Sequence, residues 1–218
     1  METTTTSYPS DKPVRPGLNT YSETVKTDNQ GSIGGNYFWI PPPKPQRKEQ
    51  GNDAHLWPEG TTLITGDSML LGVAERKLEE NCKVRTHPGA TIEDLHIHLE
   101  AHLRKKPTRV ILLLGTNNCA DDEPGIIVEK LMRLKSFILS RCCCEVFFST
   151  LITRTDSYKY FVKVNEVNAR LMDMGLRLMD NANIKTHHLT KRGLHLGYKG
   201  IELLISNFVT FVNSVKYL

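Results

Sequence analysis

The 218-residue sequence lacks a long hydrophobic run, a strong excess of charge of one sign and a secretory leader, and each absence excludes a class of protein. No apolar stretch approaches the roughly 20 residues needed to span a bilayer, so no membrane span is expected. The 28 basic and 24 acidic residues are interleaved and leave a net charge of only +4, so nucleic acid is not an expected partner. The first residues are polar threonines rather than a charged and then apolar segment, so we expect no signal peptide.

The sequence contains only five cysteines, three of which form the run Cys142-Cys143-Cys144. An odd number of cysteines without a leader favours reduced thiols and a cytoplasmic protein over a disulfide-stabilised secreted one. Hydrophobic residues make up 39% of the chain and charged residues 24%, which is ordinary for a globular protein. This length and composition predict one α/β domain with an additional tail.

The predicted tail comprises residues 1–58, which are rich in Thr, Ser, Pro, Gly, Asn and Lys and have no sustained apolar period. Within it, the segment Pro41–Arg47 favours polyproline II and fits a Pro-x-x-Pro-x-Arg ligand of SH3-type grooves. A stiff linker is the more economical interpretation of this segment, because such short patterns arise often by chance. The folded domain is predicted to comprise residues 59–218.

From Thr61 onward the pattern changes to alternating strands and helices. Arg109–Leu114 is apolar without alternation, which is typical of a parallel strand covered on both faces. The other predicted strands are Thr62–Thr65, Lys83–Thr86, Glu145–Thr150 and Leu178–Ile184. Helices are predicted at Leu70–Glu80, from Ile92 after a Thr91–Asp94 capping box, from Pro124, over Val164–Leu178 and over Ile201–Val212. Right-handed crossovers then predict a three-layer α/β/α fold with a flavodoxin-like open parallel sheet of about five strands, in the order 2-1-3-4-5.

Four short motifs follow predicted strands: Gly66-Asp67-Ser68, Gly89, Gly115-Thr116-Asn117-Asn118, and His195. The carboxyl ends of parallel strands meet at one edge of a sheet, so these residues are expected to lie together. A serine hydroxyl there is a candidate nucleophile and a histidine its general base. The amide of Asn117 and the backbone N–H of Gly89 are candidate donors to an oxyanion.

Each motif alone also has an ordinary structural explanation. Asp67 and Ser68 are both good helix N-cap residues, and glycine and asparagine suit turns. A single histidine is more often a surface or core residue than a catalytic one. The order of the motifs and their common position at strand ends make the set more informative than any member.

On these four motifs, the chain from about Thr61 to its end resembles the SGNH hydrolases, also called the GDSL esterase/lipase family. Gly-Thr-Asn-Asn is similar to the version in the platelet-activating-factor acetylhydrolase branch, and the apolar helical segments resemble esterase modules of some LINE-type retrotransposons. The resemblance implies that Ser68 attacks a small-molecule acyl ester and that His195 is the base. It also implies an oxyanion hole formed by Ser68, Gly89 and Asn117, with no metal and no cofactor.

The sequence departs from the family pattern at Arg192, where the family has an aspartate three residues before the histidine. Such a carboxylate fixes the tautomer of the histidine and stabilises its protonated form. Two replacements stay open: the backbone carbonyl of Arg192, or the carboxylate of Asp180 or Asp173. We therefore expect either a weak esterase or, as the alternative, a catalytically inactive binding or scaffold protein derived from a retroelement.

Two further groups of residues are candidate sites. His98 and His102 have a spacing used for zinc, but no acidic or cysteine partner lies at a matching spacing, so a solvated helix flank that includes His96 is favoured. Cys119 follows the Asn motif and is a candidate reactive thiol without further support. The sequence predicts no metal site.

Overall fold

The computed structural model describes residues 56–216, which contain a five-stranded parallel sheet. The strand order is β2-β1-β3-β4-β5, as predicted, and β1 lies between β2 and β3. Neighbouring strands are parallel throughout, and Ile64 of β1 pairs with Val84 on one side and Ile111 on the other. The strands are β1 (Thr62–Gly66), β2 (Cys82–Thr86), β3 (Arg109–Leu113), β4 (Glu145–Ser149) and β5 (Leu178–Met179).

Helices cover both faces of the sheet, which confirms the three-layer α/β/α architecture. They are α1 (Ile92–Leu103), α2 (Pro124–Arg141), α3 (Tyr158–Asp173) and α4 (Tyr198–Val215). The even-numbered residues of β3, such as Val110 and Leu112, join the core beneath α1, α2 and α3. Ile111 and Leu113 join the second core, beneath α4. Because successive strand residues point to opposite faces, the unbroken apolar run of β3 supplies both cores.

The connection after β1 differs from the prediction, which was wrong to place a helix over Leu70–Glu80. Two 3₁₀ turns, Ser68–Leu70 and Glu75–Lys77, occupy this segment instead. Gly72 between them has φ +88, and a Cβ atom there would lie 2.8 Å from the side chain of Ile201. The chain therefore turns sharply against α4, and no α-helix follows Ser68 before β2.

The fifth strand is shorter than the predicted Leu178–Ile184, and α3 ends before Leu178. Gly175 adopts φ +65 just after the helix and donates to the carbonyl of Met172, as at many helix C-termini. Beyond β5, the backbone N–H of Asn181 donates to the hydroxyl of Thr150 instead of continuing the ladder. The side chain of Asn181 also donates to Ser149 Oγ and to the carbonyl of Thr150, so side-chain hydrogen bonds replace further strand pairing.

The capping box at the start of α1 is confirmed. Thr91 accepts from the backbone N–H of Asp94, and the Asp94 carboxylate accepts from the backbone N–H of Thr91. None of the helices within residues 56–216 combines the length and apolarity required to cross a membrane. The Pro41–Arg47 segment and almost all of the predicted tail lie outside the described residues.

Candidate active site

Ser68 lies directly after β1, at the carboxyl edge of the sheet, and its side chain is half-buried. The alternative role as a cap is taken by its neighbour, because Asp67 Oδ1 accepts from the backbone N–H of Met69 at 2.9 Å. Among the described residues, no hydrogen bond involves the hydroxyl of Ser68, and none joins it to His195.

Asp67 is buried at 1% exposure and connects the first motif to the third. The hydroxyl of Thr116 donates to Asp67 Oδ2 at 2.6 Å. Burial raises the pKa of this carboxyl, while the Thr116 and Met69 hydrogen bonds and the charges of Arg154 and His195 oppose the rise. Since Asp67 precedes Ser68 and Thr116 precedes Asn117, this bond brings the candidate nucleophile beside the candidate amide donor.

Asn117 and Gly89 are also joined. Asn117 Nδ2 donates one hydrogen to the carbonyl of Ala90 at 2.9 Å, which leaves its second hydrogen free. Gly89 is exposed with φ +77, and its backbone N–H donates to no other described residue. The second hydrogen of Asn117 Nδ2 and the backbone N–H of Gly89 are therefore both available as donors, and the bond from Asn117 to Ala90 keeps their segments together.

The second asparagine of the motif, Asn118, is structural. Its Oδ1 accepts from the backbone N–H of Ile92 at 3.0 Å, and its Nδ2 donates to Glu93 and Asp122. These contacts hold the start of α1, and so the Gly89 loop before it, against the turn after β3. The sequence alone did not separate this role from that of Asn117, because both are amides after the same strand.

His195 lies in a tight loop between β5 and α4. The carbonyl of His195 accepts from the backbone N–H of Thr190 at 2.7 Å, and the Gly193 N–H donates back to Thr190 at 2.8 Å. Gly193 has φ +66, and its carbonyl accepts from the backbone N–H of Thr155 at 2.8 Å. The loop is thereby fixed to the segment that follows β4, at the same edge of the sheet as Ser68.

Within residues 56–216, no acid accepts a hydrogen bond from His195. Its Nδ1 is buried and has no hydrogen-bond partner among the described residues. Neither of the two open replacements, the Arg192 carbonyl or the carboxylate of Asp180 or Asp173, hydrogen-bonds to this nitrogen in the described part of the chain. Asp180 instead accepts from the backbone N–H of Ala182 at 2.8 Å, and the Arg192 side chain is exposed.

Sequence reasoning missed an ion pair beside this loop, between Arg154 and Asp156. Arg154 Nε and Nη2 donate to the two carboxylate oxygens of Asp156 at 2.7 and 2.5 Å, and Nη1 donates to the carbonyl of Thr116 at 3.1 Å. The guanidinium also lies 4.5 Å from the ring centre of Tyr160. The only sequence signal was the position of Arg154 and Asp156 shortly after β4, which does not reveal a buried arginine.

A cleft of about 340 Å³ adjoins the site on the side of Gly89. It contains neither Ser68, Asn117 nor His195, and meets the site only at Gly89 and Ala90. Polar side chains dominate its wall, where the rings of His87 and His98 stack with centroids 4.7 Å apart. The full lining is Thr86, His87, Pro88, Gly89, Ala90, Asp94 and His98.

The histidines and the cysteine of the other predicted sites differ in burial. Within residues 56–216, no cluster of three or more His, Cys, Asp or Glu side chains is arranged to hold a metal. His98 is exposed as expected, whereas His102 is half-buried and stacks on Trp57 at 6.2 Å between centroids. Cys119 is fully buried, and burial raises the pKa of its thiol to about 11, which disfavours the reactive thiolate.

The fold is that of known lipolytic hydrolases, although no family model and no curated protein sequence matches the chain. A protein described as an acylhydrolase from Bacteroides fragilis aligns at TM-score 0.61 and 15% identity, over 72% of this chain and 88% of its own. A lipolytic G-D-S-L family member from Veillonella parvula aligns at TM-score 0.58 and 14% identity, over 72% and 99%. The esterase EstA from Pseudoalteromonas sp., whose structure contains a monoethylphosphonate inhibitor, aligns at TM-score 0.56 and 17% identity, over 72% and 98%. The predicted resemblance to the SGNH fold is thereby confirmed.

Proposed function

We propose that this protein is a serine ester hydrolase in which Ser68 is the nucleophile and His195 the general base. One observation carries the proposal: hydrogen bonds link the neighbours of all four candidate residues in series. Asp67 bonds to Thr116, Asn117 to Ala90, Arg154 to Thr116, and Thr155 to Gly193. These bonds join five segments that are distant in sequence, four of which carry the candidate residues, and this convergence supports an acyl-transfer site.

The proposed reaction begins when Ser68 Oγ attacks the carbonyl carbon of an acyl ester and its proton passes to the ring of His195. The resulting oxyanion accepts hydrogen bonds from the N–H groups of Ser68 and Gly89 and from Asn117 Nδ2. Collapse of the tetrahedral intermediate expels the alkoxide, which takes the proton from His195. Water then hydrolyses the acyl-serine by the same two steps and restores the hydroxyl.

The lack of a hydrogen-bonded acid predicts a slow enzyme. In a serine protease, replacing the acid of the triad by asparagine lowers the rate about 10⁴-fold, because the histidine adopts the wrong tautomer. The nucleophile, base and oxyanion donors still provide an enhancement over water. We therefore expect measurable hydrolysis only of activated esters, such as p-nitrophenyl esters.

Covalent labelling by a fluorophosphonate tests the nucleophile and the base together. We expect wild type to be labelled at Ser68, and Ser68→Ala and His195→Ala to lose labelling. Ser136→Ala, which removes an exposed hydroxyl from α2, is the matched control and should label like wild type. Labelling that persists in Ser68→Ala would refute the assignment.

Hydrolysis of a short p-nitrophenyl ester tests the oxyanion donor. Removing one such donor typically costs about 2.7–4 kcal/mol of transition-state stabilisation. Asn117→Ala should therefore lower kcat roughly 10²–10³-fold. An unchanged kcat would exclude Asn117 from this role.

The unpartnered Nδ1 of His195 favours a second candidate function, an inactive binding or scaffold protein. This candidate predicts that wild type is neither labelled by fluorophosphonates nor active on p-nitrophenyl esters, while an acyl compound still binds at the sheet edge. Binding can be measured by calorimetry with a short-chain amide that is not hydrolysed. Labelling that depends on His195 would exclude it.

A further inference from the structure

We propose that Arg154 is a positioning residue, whose guanidinium holds the loop of the base, His195, in a fixed place relative to the oxyanion donor, Asn117. The inference deepens the proposed function and rests on it. The four motifs do not include an arginine, yet the structure buries this one shortly after β4. Its segment hydrogen-bonds to the turn that carries Asn117 on one side and to the loop that carries His195 on the other.

On the first side, Arg154 contacts the residue before Asn117. Its Nη1 donates to the carbonyl of Thr116 at 3.1 Å, while the hydroxyl of Thr116 donates to Asp67 Oδ2 at 2.6 Å. Thr116 is therefore fixed through its main chain by the guanidinium and through its side chain by the residue that precedes Ser68. The turn that presents the Asn117 amide starts from this anchored residue.

On the second side, the segment of Arg154 contacts the loop of the base. The N–H of Thr155, the next residue, donates to the carbonyl of Gly193 at 2.8 Å. Gly193 lies two residues before His195, and a Cβ atom there would lie 2.2 Å from Thr155 Oγ1, so the loop packs directly on this segment. A shift of Arg154 away from Thr116 would therefore also displace the His195 loop.

The contacts require a guanidinium and not only a positive charge. Nε and Nη2 donate to the two carboxylate oxygens of Asp156 at 2.7 and 2.5 Å, and this pairing leaves Nη1 for the carbonyl of Thr116. The side chain is only 8% exposed, and its guanidinium lies 4.5 Å from the ring centre of Tyr160. A lysine at this position would keep the charge, but its single nitrogen cannot reproduce the planar set of three donors.

The test compares Arg154→Lys with Arg133→Lys, a control that changes an exposed arginine of α2 paired with Glu129. In the p-nitrophenyl ester assay, we expect Arg154→Lys to lower kcat roughly tenfold or more, because a misplacement of about 1 Å can cost about 10²-fold. KM should stay within about twofold of wild type, since the loss falls on the transition state. Arg133→Lys should keep both constants. An unchanged kcat in a folded Arg154→Lys protein, or a loss confined to KM, would overturn the inference.

NMR provides a second measurement that needs no activity. Arg154→Lys should shift two signals by more than their linewidths, the side-chain amide of Asn117 and the backbone N–H of Gly193, and Arg133→Lys should shift neither. If Arg154→Lys does not fold, the double variant Arg154→Met, Asp156→Asn leaves no buried charge unpaired and should show the same shifts and the same fall in kcat.

Unchanged signals of Asn117 and Gly193 in either folded variant also contradict the inference. The labelling of Ser68 in wild type decides the esterase proposal separately, so the failure of one is distinguishable from the failure of the other.

Discussion

Gly193→Ala separates backbone strain from steric contact at the loop that carries His195. Gly193 has φ +66 and Gly175 has φ +65, so alanine meets the same unfavourable backbone conformation at both positions. Left-handed backbone costs an alanine roughly 1–2 kcal/mol. At Gly175 a Cβ atom would have no neighbour within 4 Å, whereas at Gly193 it would lie 2.2 Å from Thr155 Oγ1 and 2.9 Å from the backbone nitrogen of Asp156.

The difference between the two variants follows from these contacts. Gly175→Ala should lower the free energy of unfolding by about 1–2 kcal/mol, through strain alone. Gly193→Ala should lose roughly 1–3 kcal/mol more, the usual cost of forcing extra atoms into a packed site. Relief of the contact must also displace the loop and His195, and a displacement of about 1 Å can lower a rate about 10²-fold.

Urea unfolding followed by circular dichroism measures the loss of stability. The rate of fluorophosphonate labelling at Ser68 measures the effect of displacing His195. We expect Gly175→Ala to label at the wild-type rate and Gly193→Ala to label at least tenfold more slowly. Equal losses of stability in the two variants would show that the loop accommodates a side chain freely. The structural account of His195 placement would then be wrong.

Three further outcomes are expected, each measurable by urea unfolding. Thr91→Ala should cost about 0.5–2 kcal/mol, because it removes the side-chain acceptor at the start of α1, and Thr91→Ser should retain most of the stability. Thr116→Val should cost about 1–3 kcal/mol by leaving the buried Asp67 without its hydroxyl donor, and an unchanged stability would contradict that contact. Burial and nearby cations lower the pKa of His102 to about 4, so folding favours its neutral form. The free energy of unfolding should therefore fall as pH decreases from about 6.5 towards 4. His102→Gln should flatten this pH dependence, and a variant with the same pH dependence as wild type would contradict the assignment to His102.

Local pattern predicted the sheet and most of the helices. The unbroken apolar run of β3 indicated a strand buried on both faces, and the Thr91–Asp94 spacing indicated a capping box. The helix expected after Ser68 did not form, because Gly72 must turn the chain against Ile201 of α4. That contact joins residues far apart in sequence, so local helical preference could not predict it.

The sequence by itself determined the order of the strands and the position of Ser68, Gly89, Asn117 and His195 after strand ends, since periodicity and turn residues act over a few neighbours. Only the tertiary structure decided which hydrogen-bond partners and charged side chains surround these four residues. The hydrogen bonds from Thr116 to Asp67 and from Asn117 to Ala90, and the unpartnered Nδ1 of His195, depend on where separate loops meet. Charge and hydrogen bonding act through space rather than along the chain, so the Arg154–Asp156 pair, whose segment bonds to the loop of His195, became visible only in the folded protein.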